Sequence, residues 1–564
     1  MLTEYTTPGA SVEVRDDESI YSLLTERIKR TGEDTVIAER KTAPGQWTKV
    51  TTGEFHKNVL SAAKGLIAFG IGKGDAVTLF STTRYEWGVL DFALAAIGAV
   101  NVPIYDTDSA AQAERILNDS NVKLAIADDR ERFDRLDSVI GRCPSLKHIL
   151  MLDANAMGAL EGLGVTVSDE ELDERIASVR ADDLATIVYT SGSTGAPKGA
   201  ELSHRNFVSI TRAGSLALHE MILEDHPRLL LFLPLAHCFA RFIQYASIAS
   251  DDGVVGYLPD TKTLLPDVRS FEPTYLLGVP RVFEKVYNAA SRKAGMGWKG
   301  RLFLKAAESA RDWSRMQQAG EKPTMKQTAE HLSYEASVYH TVRGALGPRI
   351  RYVACGGAPL DVSLAHFFNG IGLPMIQGYG MTECSPVIST NLEWENKKGS
   401  VGKLLPNCEA KVVDEEIWVR GSSVMQGYYK MPERTAETLE DGWLKTGDLG
   451  YVDEDNFVYI TGRRKNLIIL ANGENVSPEE LENELSRSEL VKEILVREKD
   501  KIIEAEVFPD YEYAKKKHIK DIRGTLQELI DGFNKDMPVY KRIYSLIVRE
   551  TEFEKTPSKK IKRF

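Results

Sequence analysis

Between Asp75 and Asp128 the chain alternates short β-branched apolar runs with longer segments of helical apolar spacing. Ala76 to Phe80 precedes a helical pattern from Glu86 to Ile97. Val100 to Ile104 precedes a second helical stretch beginning near Ser109, and Val122 to Ala127 closes the series. Strand, helix, strand, helix, strand at this spacing predicts right-handed βαβ units building a parallel sheet. A further β-like run, Leu184 to Tyr189, ends in a polar glycine-rich turn, and Ser203 is placed to cap a helix running to about Leu218. From Asn288 to about Leu346 the chain is rich in Ala, Lys, Arg, Glu and Gln, which predicts a long helical insertion with exposed charge. Ile350 to Ala354 then reads as a strand entering a turn at Gly356 and Gly357. From Gly399 the pattern shifts to short strands punctuated by Gly, Pro and Asp, and a boundary is expected near Thr461-Gly462-Arg463. The expected organisation is an α/β protein with a large N-terminal domain, residues 1–461, built of several subdomains with parallel-rich βαβ sheets, and a small C-terminal domain, 462–564.

Composition narrows the class. A length of 564 residues allows about three to five structural units. With 43% hydrophobic and 27% charged residues the chain is ordinary globular protein, which excludes disorder, collagen-like repeats and disulfide scaffolds. The 71 basic residues against 82 acidic ones give a net charge of −11, the wrong sign for a dedicated nucleic-acid binder. The five cysteines form no CxxC pair and leave an odd count, as expected for reduced thiols in an intracellular protein without a zinc ribbon. The acidic N-terminal segment is no signal peptide. The longest apolar stretch, Leu229 to Ala240, is closed by Arg228 and Arg241 and is too short to span a bilayer. A cytoplasmic protein with no nucleic-acid partner is expected.

The segment with most chemical content is Tyr189 to Gly199, YTSGSTGAPKG. Three glycines and the hydroxyls of Thr190, Ser191, Ser193 and Thr194 follow a β-run, so backbone N–H groups and hydroxyls can gather around a polyphosphate. Lys198 adds a point charge. The GxxxxGK[ST] spacing of a Walker A loop is absent. As an ordered string, the segment closely resembles the phosphate loop of the adenylate-forming superfamily, which includes acyl-CoA synthetases, luciferases and peptide-synthetase adenylation domains. Further segments fit the same family in order. CGGAPL, Cys355 to Leu360, resembles its adenine-side loop, where Gly356, Gly357 and Ala358 approach the nucleotide. QGYGMTE, Gln377 to Glu383, resembles its second nucleotide motif. The resemblance implies that Gln377, Gly378, Tyr379 and Gly380 line the adenine side, and that Thr382 and Glu383 face phosphate and Mg²⁺. KTGDLG, Lys445 to Gly450, matches the motif whose aspartate, here Asp448, holds both ribose hydroxyls, a task suited to a group that accepts two hydrogen bonds. GRRKNLIILANGENVSPEELE, Gly462 to Glu482, is similar to the hinge and first C-terminal motif, with Arg463 at the nucleotide and Lys465 at the hinge. TPSKKIKR, Thr556 to Arg563, is similar to the family's TPTGKIxR, which puts the catalytic lysine at Lys560. Lys559 stands where that motif has glycine and remains a competing assignment.

The resemblance implies that Ser191, Gly192, Ser193, Thr194 and Gly195 cradle phosphate together with Thr190 and Lys198, that Thr190 and Glu383 hold Mg²⁺, and that Lys560, Glu383 and Lys198 are catalytic. It also implies a small, mobile α+β C-terminal domain that rotates between two half-reactions. The chain departs from many relatives at Ile469, where they carry a lysine for the thioester step.

Among possible acids, an amino acid is disfavoured, because LPLAHCFAR, Leu233 to Arg241, lacks the aspartate that would hold an ammonium. GVPRVFEKV, Gly278 to Val286, the helical insertion, VRGALGPRIRYVACGGAPL, and LANGENVSPEELE resemble the long-chain acyl-CoA synthetases. A long acyl chain needs an apolar tunnel, since each buried CH₂ contributes roughly 0.8 kcal/mol. Phe239, Phe242, Tyr275 and Leu277 could line it or could be plain core, and His237 could face the acyl group or simply pack. Arg292, Lys293, Lys299, Arg301 and Lys305 could touch anionic lipid or form a solvated face.

The expectation is a Mg²⁺-dependent ligase acting on a fatty acid, ATP and CoA. A fatty acyl-AMP ligase that stops at the adenylate, or hands it to a carrier protein, is the alternative that Ile469 keeps open. A fatty-acid-binding module without turnover is weighed down by the presence of Glu383, Asp448 and Lys560. Neither oligomeric state nor preferred chain length is legible.

Overall fold

The computed structural model describes residues 4–6, 12–190, 197–223, 226–295, 297–406, 408–469, 475–486, 488–499, 502–555 and 561–563. The chain divides into two units. The larger comprises Thr6–Glu409 and Val419–Leu444; the smaller comprises Met1–Tyr5, Ala410–Trp418 and Lys445–Phe564. The boundary expected from sequence falls after residue 461. The smaller unit reaches back further because strand Trp443–Val452 runs on into an antiparallel hairpin with Val458–Arg463.

The larger unit is built on two sheets. In the first, seven-stranded, the order is Gly427–Tyr428, Lys198–Ser203, Leu184–Thr190, Val100–Asn101, Ala76–Phe80, Leu124–Ala127 and His148–Met151. From Leu184–Thr190 to His148–Met151 its neighbours pair parallel, as the βαβ pattern requires. The expected strand from Val100 to Ile104 shortens to Val100–Asn101, where Pro103 cannot donate to the ladder, although Ile104 still bridges Phe80. The helix Tyr85–Ala96 is apolar nearly all round and buried throughout all but one of its positions, as suits an element enclosed on every side.

The second, nine-stranded sheet runs Lys403–Leu404, Val387–Thr390, Met375–Gly380, Tyr352–Cys355, Tyr275–Gly278, Arg228–Leu231, Val254–Tyr257, Val36–Ala43 and Gln46–Thr51. Its middle strands are parallel, so their carboxyl ends lie along one edge. Ligand crevices in open α/β sheets lie at that edge. The helical insertion forms as expected, with Pro280–Ala294, Trp298–Gln318, Met325–Tyr334 and His340–Ala345 as its α-helices. Ser203 caps helix His204–Ala217 in a capping box with Asn206.

The smaller unit is α+β. Strands Val491–Lys499 and Ile502–Pro509 pair antiparallel, and Ile543–Val548 adds parallel to the latter. Helices Pro478–Leu485 and Ile522–Asp536 contribute Leu481, Leu485, Leu526 and Ile530 to the core beneath.

Candidate active site

A narrow cleft of about 60 Å³ opens in the larger unit at the carboxyl ends of the middle strands of the nine-stranded sheet. One wall is the turn after strand Tyr352–Cys355, Gly356 and Gly357, together with Gly378, Tyr379 and Gly380 at the end of strand Met375–Gly380. Gly357 sits at φ +78°, a conformation that a side chain would strain. At Gly380 a Cβ would stand 1.9 Å from the Pro386 carbonyl oxygen, so only glycine admits this approach. Ala358 is exposed beside them, and Gln377 pairs with Cys355 and accepts the Asn391 N–H at 2.9 Å.

The opposite wall is apolar: Leu218, Met221, Phe239, Phe242, Ile243 and Leu277. Phe239 bridges the two walls, since a Cβ on Gly356 would meet its ring at 3.1 Å. His237 also lines the cleft and caps helix Cys238–Ala249, its Nδ1 accepting the Phe239 N–H at 3.2 Å. Tyr275 is placed elsewhere. It lies on the same strand as Leu277 but nearer the amino end, 1% exposed, with its hydroxyl 2.6 Å from the Ser247 hydroxyl. Tyr275 is therefore core, whereas Phe239, Phe242 and Leu277 border open space.

Helix Cys238–Ala249 is anchored by a buried polar network. Arg241 donates to Asp91 at 2.7 Å, to the Tyr245 hydroxyl at 3.0 Å and to the Thr186 hydroxyl at 2.9 Å. Tyr245 and Asn101 also donate to Asp91, at 2.5 and 2.7 Å. Burial opposes the guanidinium charge, yet Asp91 and Tyr245 more than offset it, and the Arg241 pKa lies above its ordinary value. The network joins the cleft helix to strands Val100–Asn101 and Leu184–Thr190 of the other sheet.

A second cluster gathers the phosphate-side residues. Strand Leu184–Thr190 ends at Thr190, whose hydroxyl donates to the Lys198 carbonyl across the hairpin at 3.4 Å. Ser191, Gly192, Ser193, Thr194 and Gly195 lie outside the described residues. Thr382 and Glu383 are each 9% exposed. The Tyr428 hydroxyl donates to Glu383 Oε1 at 2.8 Å, and Lys198 Nζ lies 4.6 Å from the centre of the Tyr428 ring. Burial raises the Tyr428 pKa, and the Glu383 charge raises it further, so the phenol stays a donor. A nearly buried carboxylate with an oxygen besides the one Tyr428 engages is a hard ligand of the kind Mg²⁺ takes. Among the described residues no cluster of three His, Cys, Asp or Glu side chains is placed to hold a metal. The chemistry of Glu383, a carboxylate with one oxygen beyond the Tyr428 contact, fits such an ion.

In the smaller unit, Asp448 is 5% exposed and accepts from Arg463 Nε at 2.6 Å across the hairpin that pairs the two residues. Lys465 is exposed in the short turn that follows. Lys559 and Lys560 lie outside the described residues, as does the segment after Ile469. Tyr428 and the Arg241–Asp91 pair were not singled out by sequence. The string GYYK around Tyr428 carries no chemical signal of its own, and Arg241 and Asp91 are 150 positions apart.

The pattern of the AMP-binding enzymes matches residues 24–429, and that of the AMP-binding enzyme C-terminal domain matches 465–564. Over 487 residues the chain is 41% identical to the long-chain-fatty-acid–CoA ligase FadD15 of Mycobacterium tuberculosis, covering 86% of this chain and 80% of the relative. It is 32% identical to the peroxisomal long chain acyl-CoA synthetase 7 of Arabidopsis thaliana, over 80% of this chain and 67% of that one. Among solved structures, the anthranilate CoA ligase AuaEII in complex with anthranoyl-AMP superposes with a TM-score of 0.72 at 19% identity, covering 97% and 96% of the two chains. The o-succinylbenzoate CoA synthetase of Bacillus subtilis in complex with ATP and magnesium superposes at 0.71 and 22% identity, covering 96% and 98%. These two share the fold.

Proposed function

The chain belongs to the AMP-binding, adenylate-forming enzymes, among the long-chain fatty acid–CoA ligases, and from that premise we propose how its residues carry out the reaction. The enzyme uses ATP to activate a long-chain fatty acid: the carboxylate attacks the α-phosphorus, the bond to pyrophosphate breaks, and acyl-AMP forms. The CoA thiol then displaces AMP to give acyl-CoA. The observation that carries the assignment of the site is the meeting of the glycine-and-tyrosine wall with the apolar one in the same cleft.

In this proposal Gly356, Gly357, Gln377, Gly378 and Tyr379 take the adenine, and Asp448 and Arg463 take the ribose side. Thr190, Lys198 and the loop between them hold the phosphates. Two anions must meet, so charge neutralisation and in-line positioning dominate the barrier. Lys198 neutralises the departing pyrophosphate. Lys560, with Lys559 as the competing assignment, reaches the carboxylate and α-phosphate together. The domain 462–564 carries that lysine and moves between half-reactions, with Lys465 at the hinge. Glu383 and Thr190 would hold Mg²⁺, which would supply Lewis-acid charge neutralisation for the phosphates. His237 and Phe239 border the acyl group.

The proposal also has a cytoplasmic enzyme that touches the membrane. Among the described residues no helix is long and apolar enough to cross one. However, Trp298 and Leu304 are 66% and 58% exposed on helix Trp298–Gln318, beside the exposed Arg301 and Lys305. Segment 288–326 holds nine basic and three acidic residues in a chain of net charge −11. Such a face suits anionic lipid. Sedimentation with anionic vesicles at low salt should be lost on Arg301→Glu/Lys305→Glu, and a wild-type protein that stays in the supernatant refutes the contact.

The test of function is incubation with ATP, Mg²⁺ and acids of graded chain length, with and without CoA, read by mass spectrometry. Long-chain acyl-CoA that forms only with CoA present is the expected result. Acyl-AMP accumulating regardless of CoA would favour the adenylate-only alternative and direct attention to Ile469. Lys560→Ala should lower adenylate formation by about 10²–10³-fold while ATP still binds, and an unchanged rate would transfer the role to Lys559.

A further inference from the structure

Both groups assigned to phosphate and metal, Lys198 and Glu383, touch one side chain that no motif marks. Tyr428 is 4% exposed and is fixed by its backbone: strand Gly427–Tyr428 adds to the edge of Lys198–Ser203, pairing Tyr428 with Ala200. Its N–H donates to the Thr435 hydroxyl at 2.9 Å, and the next N–H, of Tyr429, donates to the Gly199 carbonyl at 2.8 Å. The segment is also tied to Glu383 by its backbone, since Met425 N–H donates to the Glu383 carbonyl at 2.8 Å. The phenol hydroxyl, directed at Glu383 Oε1 at 2.8 Å, is therefore held by a rigid strand and not by a mobile loop. Its ring face, 4.6 Å from Lys198 Nζ, offers the ammonium a cation–π contact.

We propose that Tyr428 is a positioning residue, which orients the Glu383 carboxylate toward the metal–nucleotide and holds the Lys198 ammonium beside it. The proposal rests on the assignment of Glu383 and Lys198 made above. A carboxylate with two free oxygens can rotate about its terminal bond. With Oε1 engaged by a fixed donor, the other oxygen has one direction, and the carboxylate need not reorganise when the metal–nucleotide arrives. A hydrogen bond to a charged group is strong enough for its loss to register. The ring contact sets a division of labour: the hydroxyl serves Glu383 and the face serves Lys198, so the two can be removed separately.

The experiment measures Mn²⁺ affinity by electron paramagnetic resonance in the presence of α,β-methylene-ATP, alongside steady-state kinetics, for wild type, Tyr428→Phe, Tyr428→Leu and Glu383→Gln. Tyr428→Phe should weaken Mn²⁺ binding and lower kcat by about tenfold each, with the KM for fatty acid unchanged and thermal unfolding within about 2 °C of wild type. Tyr428→Leu should show both losses and also raise the KM for ATP, because the Lys198 contact goes as well. Wild-type Mn²⁺ affinity in Tyr428→Phe, while Glu383→Gln has lost it, overturns the positioning role alone. Wild-type affinity in Glu383→Gln overturns the metal assignment of Glu383 and the role of Tyr428 with it. Equal losses in Tyr428→Phe and Tyr428→Leu on every readout overturn the separate roles of hydroxyl and ring.

Discussion

Arg241→Met tests whether the cleft helix is held by a buried charge pair or by packing alone. Arg241 and Asp91 are 1% and 2% exposed, so removing the guanidinium leaves a carboxylate in the interior with, among the described residues, Tyr245 and Asn101 as its remaining side-chain donors. Breaking a buried pair from one side costs about 3–5 kcal/mol. Methionine keeps most of the volume, so little of that cost is a cavity. The larger unit spans several hundred residues, and at roughly 2.1 cal/mol/K per residue each kcal/mol moves its unfolding by about 1 °C. Arg241→Met should then lower the apparent unfolding temperature, followed by circular dichroism, by about 3–5 °C. Adding Asp91→Asn should restore most of that loss, because the orphaned charge is gone while the amide can still hydrogen-bond Tyr245 and Asn101. Activity should respond in parallel: His237 and Phe239 open the same helix, so the KM for fatty acid should rise in the single variant and fall back in the double. A double variant that unfolds at the temperature of Arg241→Met, or below it, refutes the charge-pair account and leaves the aromatic rings around Arg241 as the anchor.

Three further outcomes are expected. A Cβ on Gly214 would stand 2.5 Å from the Phe242 ring, which lines the cleft, so Gly214→Ala should push the ring inward and shift the acyl-CoA product profile to shorter chains; an unmoved profile refutes that placement. Asp448→Ala should weaken AMP affinity at least about tenfold by calorimetry, and wild-type affinity contradicts its ribose role. Burial lowers the His204 pKa to about 4, and burial followed by Arg315 and Lys398 does the same for His366, so both are neutral when folded. Their folded values lie below the unfolded value of about 6.5, so stability is complete above that pH and falls toward pH 4 as the unfolded state gains protons, by about 3 kcal/mol for the fully enclosed His204 and by less for His366. His204→Gln should make unfolding temperature fall less between pH 6.5 and 4 than in wild type, and an unchanged slope removes His204 as a source.

What the sequence made legible is what strand ends encode locally. Glycine is required at 357, where φ is +78°, and at 380, where the Pro386 carbonyl oxygen lies 1.9 Å from where a Cβ would be, and such demands at the ends of strands Tyr352–Cys355 and Met375–Gly380 leave a mark on composition. Ser203 and the βαβ series are local in the same sense. Tyr275 shows the limit of that signal: period-two alternation puts it on the face of Leu277, but depth along the strand decides which of them meets open space, and alternation says nothing of depth. Arg241 and Tyr428 show the other limit. Each acts through a partner far along the chain, Asp91 at 150 positions and Glu383 at 45, and pairing at that range follows from how two sheets and a late edge strand come together. The division has a physical origin. Contact with a ligand needs a particular backbone shape or functional group at a fixed point, which a short string can specify. Holding that point still needs buried partners, and any element that happens to pack there can supply them. A motif therefore names the groups that meet substrate, whereas the groups that keep them in place have to be found by following each buried charge to the donor that satisfies it.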